Sequence, residues 1–140
     1  MKKLEWSDKL TLGVEQIDEQ HQQLVQLAND LVSAVEAGYG EDVLDVVFKE
    51  LREYTVFHFK EEELYMKEIE YPGRREHVVE HANLKEQVKQ YQREMYAKKD
   101  VSPDEVVVFL RNWLVEHIIL NDMEIAQYLK DKARSGYASG

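Results

Sequence analysis

The sequence predicts an all-α protein, an antiparallel up-down-up-down four-helix bundle with an irregular N-terminal arm. Apolar residues recur at spacings of three and four along four long segments, which is the periodicity of amphipathic helices. The six glycines and two prolines among 140 residues lie mainly between these segments, where helices end. No segment alternates as a half-buried strand does, and a chain of this length is most naturally one domain with a substantial core.

An irregular arm that contains Trp6 is expected to run to about Ile17, and the first helix follows it. Asp18 is the expected N-cap, because its carboxylate can accept hydrogen bonds from the free backbone N–H groups of a first turn. Gly38 and Gly40 are expected to end this helix. The stripe expected to face the core consists of Leu24, Ala28, Leu31 and Val35.

The second and third helices are separated by the breaker Tyr71-Pro72-Gly73. We expect the second helix over about residues 42–70 and the third over about residues 74–98. Their apolar stripes are Leu44, Val47, Leu51 and Tyr54 in the second helix, and Leu84, Val88, Tyr91 and Met95 in the third.

The fourth helix begins at a capping sequence, in which Ser102 is the N-cap, Pro103 the first helical residue and Glu105 the third. Its stripe is Val106, Leu110, Trp113 and Leu120. The chain ends in SGYASG, which is typical of a flexible tail or linker. We therefore expect a domain over residues 1–134 and a flexible tail over residues 135–140.

Composition excludes several classes of function. The formal net charge is -10, so we expect no nucleic-acid partner, because phosphate backbones bind basic surfaces. The absence of cysteine excludes disulfides and thiolate sites. No apolar run has the length of a signal peptide or a membrane span, so we expect a cytoplasmic protein without membrane insertion. No exposed apolar stripe is expected, which favours a monomer.

All five histidines extend the apolar stripes, and each helix contributes at least one. His21 precedes Leu24 by three residues, and the other four histidines, His58, His77, His81 and His117, continue the stripes of the later helices at helical spacing. A buried imidazole needs partners for both ring nitrogens, and aliphatic neighbours cannot supply them. Histidine is also the commonest metal ligand in proteins. The pattern therefore predicts a metal site inside the bundle.

Carboxylates near these histidines are the expected additional ligands. Glu62 follows His58 by four residues, one turn later on the same face. Glu61 and Glu63 are expected on a solvated face. Asp122 is poorly placed by spacing, because residues five apart lie about 140° from each other around a regular helix. Spacing alone would select Asn121 instead.

Taken together, these motifs resemble those of the hemerythrin family, in particular its bacterial branch. They are HxxxE at His58–Glu62, HxxxH at His77–His81 and HxxxxD at His117–Asp122, together with GVxxIDxQH from Gly13, HFxxEE at His58, YP at Tyr71 and WxxxH at Trp113. The resemblance covers residues 13 to about 129.

The resemblance implies two iron ions, cycling between Fe2+ and Fe3+ and bridged by a hydroxide or oxide. It implies the ligands His21, His58, Glu62, His77, His81, His117 and Asp122, of which Glu62 and Asp122 bridge. His77, His81 and His117 would complete one iron. His21 and His58 would leave the other with a vacant position, which a ligand-binding metal requires.

Dioxygen is the ligand that the resemblance implies for the vacant position. The expected pocket consists of Leu24, Phe59, Trp113, Leu114 and Ile118, with Leu114 over the vacant position. Such an apolar lining withholds protons, which favours reversible binding over oxygen chemistry. The expected role is oxygen storage, delivery to an oxygen-consuming enzyme, or sensing, rather than catalysis. The alternative is a peroxidase, nitric-oxide or iron-detoxifying activity at the same site.

Two other metalloprotein classes fit the sequence poorly. Ferritin-like di-iron proteins need Glu-x-x-His motifs, but no histidine here has a glutamate three residues before it. A zinc hydrolase would need a polar cleft, and no loop is long enough to line one.

The spacing of His117 and Asp122 allows two local structures. A π-bulge would bring both side chains to nearly one face. A regular helix would let them approach a metal pair from either side without distortion, and we expect the regular helix.

Overall fold

The computed structural model describes residues 11–39, 41–97 and 102–139. The arm around Trp6 lies outside this part, as do the side chains of residues 41, 118–120 and 135–139. The described elements are α1 (Glu15–Glu36), α2 (Glu41–Glu68), α3 (Arg74–Ala97), α4 (Pro103–Val115), a π-helix (Glu116–Asp122) and α5 (Met123–Ser139). All regular structure in these ranges is helical, which confirms the all-α prediction and is consistent with a helical bundle.

The start of α1 differs from the prediction. The helix begins at Glu15, and its N-cap is Val14, which makes no side-chain cap bond. Asp18 instead lies in the first turn, where its carboxylate accepts hydrogen bonds from the backbone N–H groups of Leu12 at 2.8 Å and Gly13 at 3.1 Å. The assignment of Asp18 as N-cap was therefore wrong. The carboxylate finds its free N–H donors in the preceding loop, which it fastens to the helix.

The breaker between α2 and α3 is a compact turn. The backbone N–H of Tyr71 donates to the carbonyl of Met66 at 2.9 Å, after Glu70 has turned the chain with a φ of +56°. A Cβ on Gly73 would lie 2.9 Å from the ring of Tyr71. Glycine is therefore needed at this position, because any other residue would displace that buried ring.

The predicted start of α4 is confirmed. Ser102 is the N-cap, its hydroxyl oxygen accepts a hydrogen bond from the backbone N–H of Asp104 at 3.2 Å, and Pro103 follows at the first helical position.

The apolar stripes of α1, α2, α3 and α4 meet in one core. Every predicted stripe residue whose side chain is described is either buried in this core or packed against it. α1 packs against α2 and α4, and α2 packs against α3. Leu120, the last member of the fourth stripe, has a side chain outside the described part.

Helix α2 also exposes apolar side chains. Val43, Val46, Phe57 and Leu64 share one face and are 42% to 56% exposed. The expectation that no apolar stripe is exposed was therefore wrong. The sequence pattern did not indicate this stripe, because acidic residues interrupt it.

The last helical run is longer and less regular than expected. A π-helix connects α4 to α5, so the expected regular helix was wrong. The helix also continues to Ser139, through residues for which we predicted a flexible tail. The division into a domain and a tail stays a prediction. Within the described ranges, no helix combines the length and the hydropathy that a membrane span requires.

Candidate metal centre

The structure brings together all seven side chains that were expected to bind metal. Six of them are completely buried, and His77 is 4% exposed. α1 contributes His21, α2 contributes His58 and Glu62, α3 contributes His77 and His81, and the π-helix contributes His117 and Asp122. The prediction that histidines from all the helical segments of the bundle come together is therefore confirmed.

The seven side chains form two overlapping groups. In each group, five ligand atoms lie within 4.8 Å of one another. The first group is His21, His58, Glu62, His117 and Asp122, and the second is Glu62, His77, His81, His117 and Asp122. Glu62, His117 and Asp122 belong to both groups. For the two carboxylates, this is the position that a bridging ligand needs.

Each carboxylate directs one oxygen towards each group. Asp122 Oδ2 lies 2.6 Å from His21 Nε2, and Oδ1 lies 2.8 Å from His77 Nε2. Glu62 Oε1 lies 2.7 Å from His77 Nε2, and Oε2 lies 3.3 Å from His58 Nε2. His117 Nε2 is closest to His58 Nε2 at 2.8 Å and to Asp122 Oδ2 at 2.9 Å. Its nearest contacts are thus on the side of His21 and His58.

Two histidines are held by acceptors outside the cluster. His58 Nδ1 donates to the amide oxygen of Gln20 at 2.7 Å, and His81 Nδ1 donates to Glu63 Oε2 at 2.8 Å. Because both outer partners are acceptors, the proton of a neutral imidazole lies on Nδ1. Nε2 then directs its lone pair into the cluster, as in a metal-ligating histidine with an outer partner.

This donor set fits a metal ion. His81 Nε2 lies 2.9 Å from Glu62 Oε1, so two lone pairs face each other unless a cation or proton lies between them. Glu62 Oε2 and Asp122 Oδ1 are buried. Histidine Nε2 atoms lie 3.3 Å and 2.8 Å from them, but neither oxygen makes a hydrogen bond of good geometry, although buried oxygens normally have a partner. A buried His, Glu and Asp cluster of this kind fits iron.

Protons carry the compensating charge in the metal-free protein. Burial opposes protonation of His21, but hydrogen bonds to Asp122 and Glu62 outweigh it and raise its pKa to about 9. The same balance raises the pKa of His77 to about 10. Burial lowers the pKa of His117 to about 4. Two imidazolium ions would therefore balance two buried carboxylates, a role that cations would take over.

The carboxylates themselves remain ionised. Burial and the charge of Glu62 raise the pKa of Asp122, but His117 and His21 outweigh them and bring it to about 2. Burial likewise opposes ionisation of Glu62, yet the surrounding histidines hold its pKa well below the ordinary value. Both side chains are thus charged at neutral pH and available to cations.

The two outer acceptors were not predicted. Glu63 was expected on a solvated face, which was wrong, because it is only 28% exposed and accepts from His81. Its position four residues after Phe59, on the same helical face, was the available signal. Gln20 was missed although it lies four residues before Leu24 and so extends the stripe of α1.

The π-helix explains how Asp122 reaches the cluster. Bonding of the i to i+5 type widens the turn and brings residues five apart to nearly the same face. His117 Nε2 and Asp122 Oδ2 consequently lie 2.9 Å apart. The regular helix that we expected would have separated these directions, and contacts to His21 and His77 stabilise the distortion.

Four of the five residues that we expected to line a dioxygen pocket are buried. Leu24, Phe59, Trp113 and Leu114 all belong to the main apolar core, and the side chain of Ile118 lies outside the described part. Phe59 stacks on His81 with ring centroids 3.9 Å apart. The indole N–H of Trp113 donates to the carbonyl of Leu84 at 2.9 Å. The one donor of this side chain is therefore engaged.

Several known proteins are similar to this chain over most of its length. The bacteriohemerythrin of Pseudomonas aeruginosa is 32% identical over 99% of this chain and 95% of its own length. That of Clostridium acetobutylicum is 32% identical over 85% of this chain and 95% of its own, and that of Stenotrophomonas maltophilia is 34% identical over 91% and 82%. A family model described as the hemerythrin HHE cation binding domain matches residues 12–129. With its buried cluster of histidine, glutamate and aspartate, the chain belongs to the hemerythrin family.

Proposed function

We propose that this protein binds dioxygen reversibly at a centre of two iron ions. The observation that supports this proposal is that two groups of ligand atoms share Glu62 and Asp122. Each of these carboxylates directs one oxygen towards the first group and the other oxygen towards the second. Two cations joined by two carboxylates fit this arrangement, whereas a single ion would leave several buried ligand atoms without a partner.

The proposed ligands are the seven clustered residues, with a hydroxide or oxide as a further bridge. By family resemblance, His77, His81 and His117 would hold one iron, and His21 and His58 would hold the other. His117 belongs to both groups, so we expect its ring to move towards His77 and His81 when iron binds. A crystal structure of the iron-loaded protein with His117 on the same iron as His58 would contradict this assignment.

We also propose that α4, the π-helix and α5 act as one long fourth helix of an antiparallel, up-down-up-down bundle. This topology is supported by the short turn between α2 and α3 and by the packing of α1 on α2 and on α4. We place the domain at residues 1–134.

A bound di-iron pair would supply reversible electron transfer to dioxygen. The chain's own residues would restrict any further reaction of the bound gas. Glu63 and Gln20 hold His81 and His58 in orientation through their Nδ1 atoms. Leu24, Phe59 and Leu114 exclude water, and the engaged indole of Trp113 offers no proton. An aprotic site favours release of intact dioxygen over its reduction.

The physiological role that we propose is oxygen storage, delivery to an oxygen-consuming enzyme, or sensing, without catalysis. We still expect a monomer, because acidic residues interrupt the exposed apolar stripe of α2. Peroxidase, nitric-oxide or iron-detoxifying activity is the competing proposal for the same site. The described pocket side chains include no acid, which such chemistry would need as a proton donor.

The test is iron content followed by visible spectroscopy. We expect two irons per chain, a spectrum of the reduced protein that changes in air, and its reversal under argon. The Glu62→Gln variant should lose iron and the spectrum, whereas Glu61→Gln, an adjacent glutamate outside the cluster, should retain both. One zinc per chain, or a change in air that argon does not reverse, would contradict the proposal.

A further inference from the structure

A second candidate site lies away from the metal ligands, between α2 and α3. It is a cavity of about 250 Å³. Helix α2 lines it with Arg52, Thr55 and Val56, and the residues that α3 contributes include Lys85 and Val88. Thr55 and Val88 are buried and form part of its floor. The Thr55 hydroxyl donates to the carbonyl of Leu51 at 2.7 Å, so only its acceptor side is open to a ligand.

Three cationic side chains surround this cavity in a protein with a net charge of -10. They are Arg52, Lys85 and Lys89. The Nε atom of Arg52 is buried and has no hydrogen-bond partner. Within the described part of the chain, neither lysine forms an ion pair. The carboxylate of Glu86, which also lines the cavity, lies 3.9 Å from Arg93.

These cations lack partners where partners are plentiful. The chain has 28 acidic and 18 basic residues, so a cation on its surface can readily find a carboxylate. A buried guanidinium N–H without an acceptor is costly, and the cost is removed when an anion binds. The planar fork of arginine suits a carboxylate, and the longer lysine stems can reach the same group from the opposite side.

We propose that this cavity binds a small organic carboxylate. The carboxylate accepts from Arg52 and from Lys85 or Lys89, and the apolar body contacts Val56 and Val88. The volume is slightly below that of common small-molecule pockets, which begin at about 300 Å³. A ligand with a short aliphatic chain therefore fits, whereas inorganic phosphate would leave the apolar walls without a contact.

Calorimetric titration of the iron-loaded protein with hexanoate tests this proposal. We expect saturable binding of one hexanoate per chain. Inorganic phosphate has the charge without the apolar body, and hexanol has the apolar body without the charge. Both should bind at least about tenfold more weakly, because each loses one of the two kinds of contact.

Variants locate the binding to this cavity. Arg52→Gln and the double variant Lys85→Gln/Lys89→Gln should each weaken hexanoate binding about tenfold, the effect of losing a charged hydrogen-bond partner. Lys130→Gln removes one charge, as Arg52→Gln does, at an exposed position of α5, and should leave the binding unchanged. The lysine variants are at partly or fully exposed positions, so they remain informative if Arg52→Gln fails to fold.

Several results would overturn the proposal. These are the absence of saturable hexanoate binding, equal binding of hexanol or phosphate, and unchanged binding by the double lysine variant. A loss of affinity in Lys130→Gln equal to that in Arg52→Gln would also overturn it, since net charge alone would then explain the binding.

Discussion

The apolar core around Leu31 and Leu51 and the polar cluster around Glu62 are equally buried, with all three side chains at 0% exposure, yet they are held together differently. The core consists of regular α-helix whose stripes meet, and many apolar side chains would fill its volume. In the cluster each polar atom needs a specific partner, and one helix adopts π geometry to provide it. Burial of apolar groups tolerates local change, whereas burial of charge depends on each partner.

Iron removal should produce the largest effect and separates the two regions most clearly. Chelation leaves five imidazoles and two carboxylates in a closed space, so we expect the largest fall in melting temperature of any change proposed for the protein. Calorimetry before and after chelation measures it. Equal melting of the two forms would mean that the cluster contributes no more than ordinary core.

The converse change is Leu31→Ala in the apolar core. Leu31 is completely buried, and a cavity there should lower the free energy of unfolding by about 2–5 kcal/mol. The iron content and visible spectrum should stay those of the wild type. A spectrum altered as strongly as by Glu62→Gln would show that the two regions are not independent.

The pH dependence of the iron-free protein should follow the cluster alone. The raised pKa values of His21 and His77, about 9 and 10, stabilise the fold fully below pH 6.5, and this is lost as pH rises through them. His117, with a pKa lowered to about 4, acts oppositely and reduces stability as pH falls below 6.5.

Stability of the iron-free protein should therefore be greatest near pH 6.5, the ordinary pKa of histidine, and should decline towards pH 10. Urea denaturation at pH 5, 6.5 and 9 measures it. Equal or greater stability at pH 9 would contradict the assignment of two protonated histidines.

A change in an outer acceptor should have a smaller effect than loss of the metal or a cavity in the core. Glu63→Gln keeps an acceptor for His81 but removes its charge, so we expect metal affinity to fall about tenfold. Competition with a chelator measures that affinity, and Glu61→Gln is the matched control. An unchanged affinity would mean that the 2.8 Å contact of Glu63 with His81 only positions the ring.

The smallest effect should come from the residues of the proposed dioxygen pocket. Leu114→Ala or Leu114→Asn should admit water and speed oxidation of the dioxygen-bound form severalfold. Val115→Ala, at the exposed neighbouring position, should not. The decay of the visible spectrum in air gives both rates. If Leu114→Ala oxidises at the wild-type rate, Trp113 and Phe59 are the residues that exclude water.

The sequence by itself determined the helical stripes, the breakers at Gly38 and Gly73, and the positions of the five histidines on the stripes. These features depend on helical periodicity and on helix-ending residues, which act between residues that are close in sequence. Helical spacing placed Glu62 on the face of His58, and the family motif added Asp122. The stripes were confirmed wherever side chains are described, because an apolar face is buried whatever its exact partner.

Only the tertiary structure decided how polar groups are paired. Asp18 left the expected N-cap position for the loop N–H groups, and Glu63 and Gln20 became partners of histidines on other helices. The π-helix at Glu116–Asp122 has the same cause. Regular α-helix is the local optimum for that segment, and it is displaced because contacts from α1 and α3 to Asp122 outweigh the local cost. Most of these partners are distant in sequence. Helical spacing can place Glu63 and Gln20 on an inner face, but only the tertiary structure shows which histidine each one contacts.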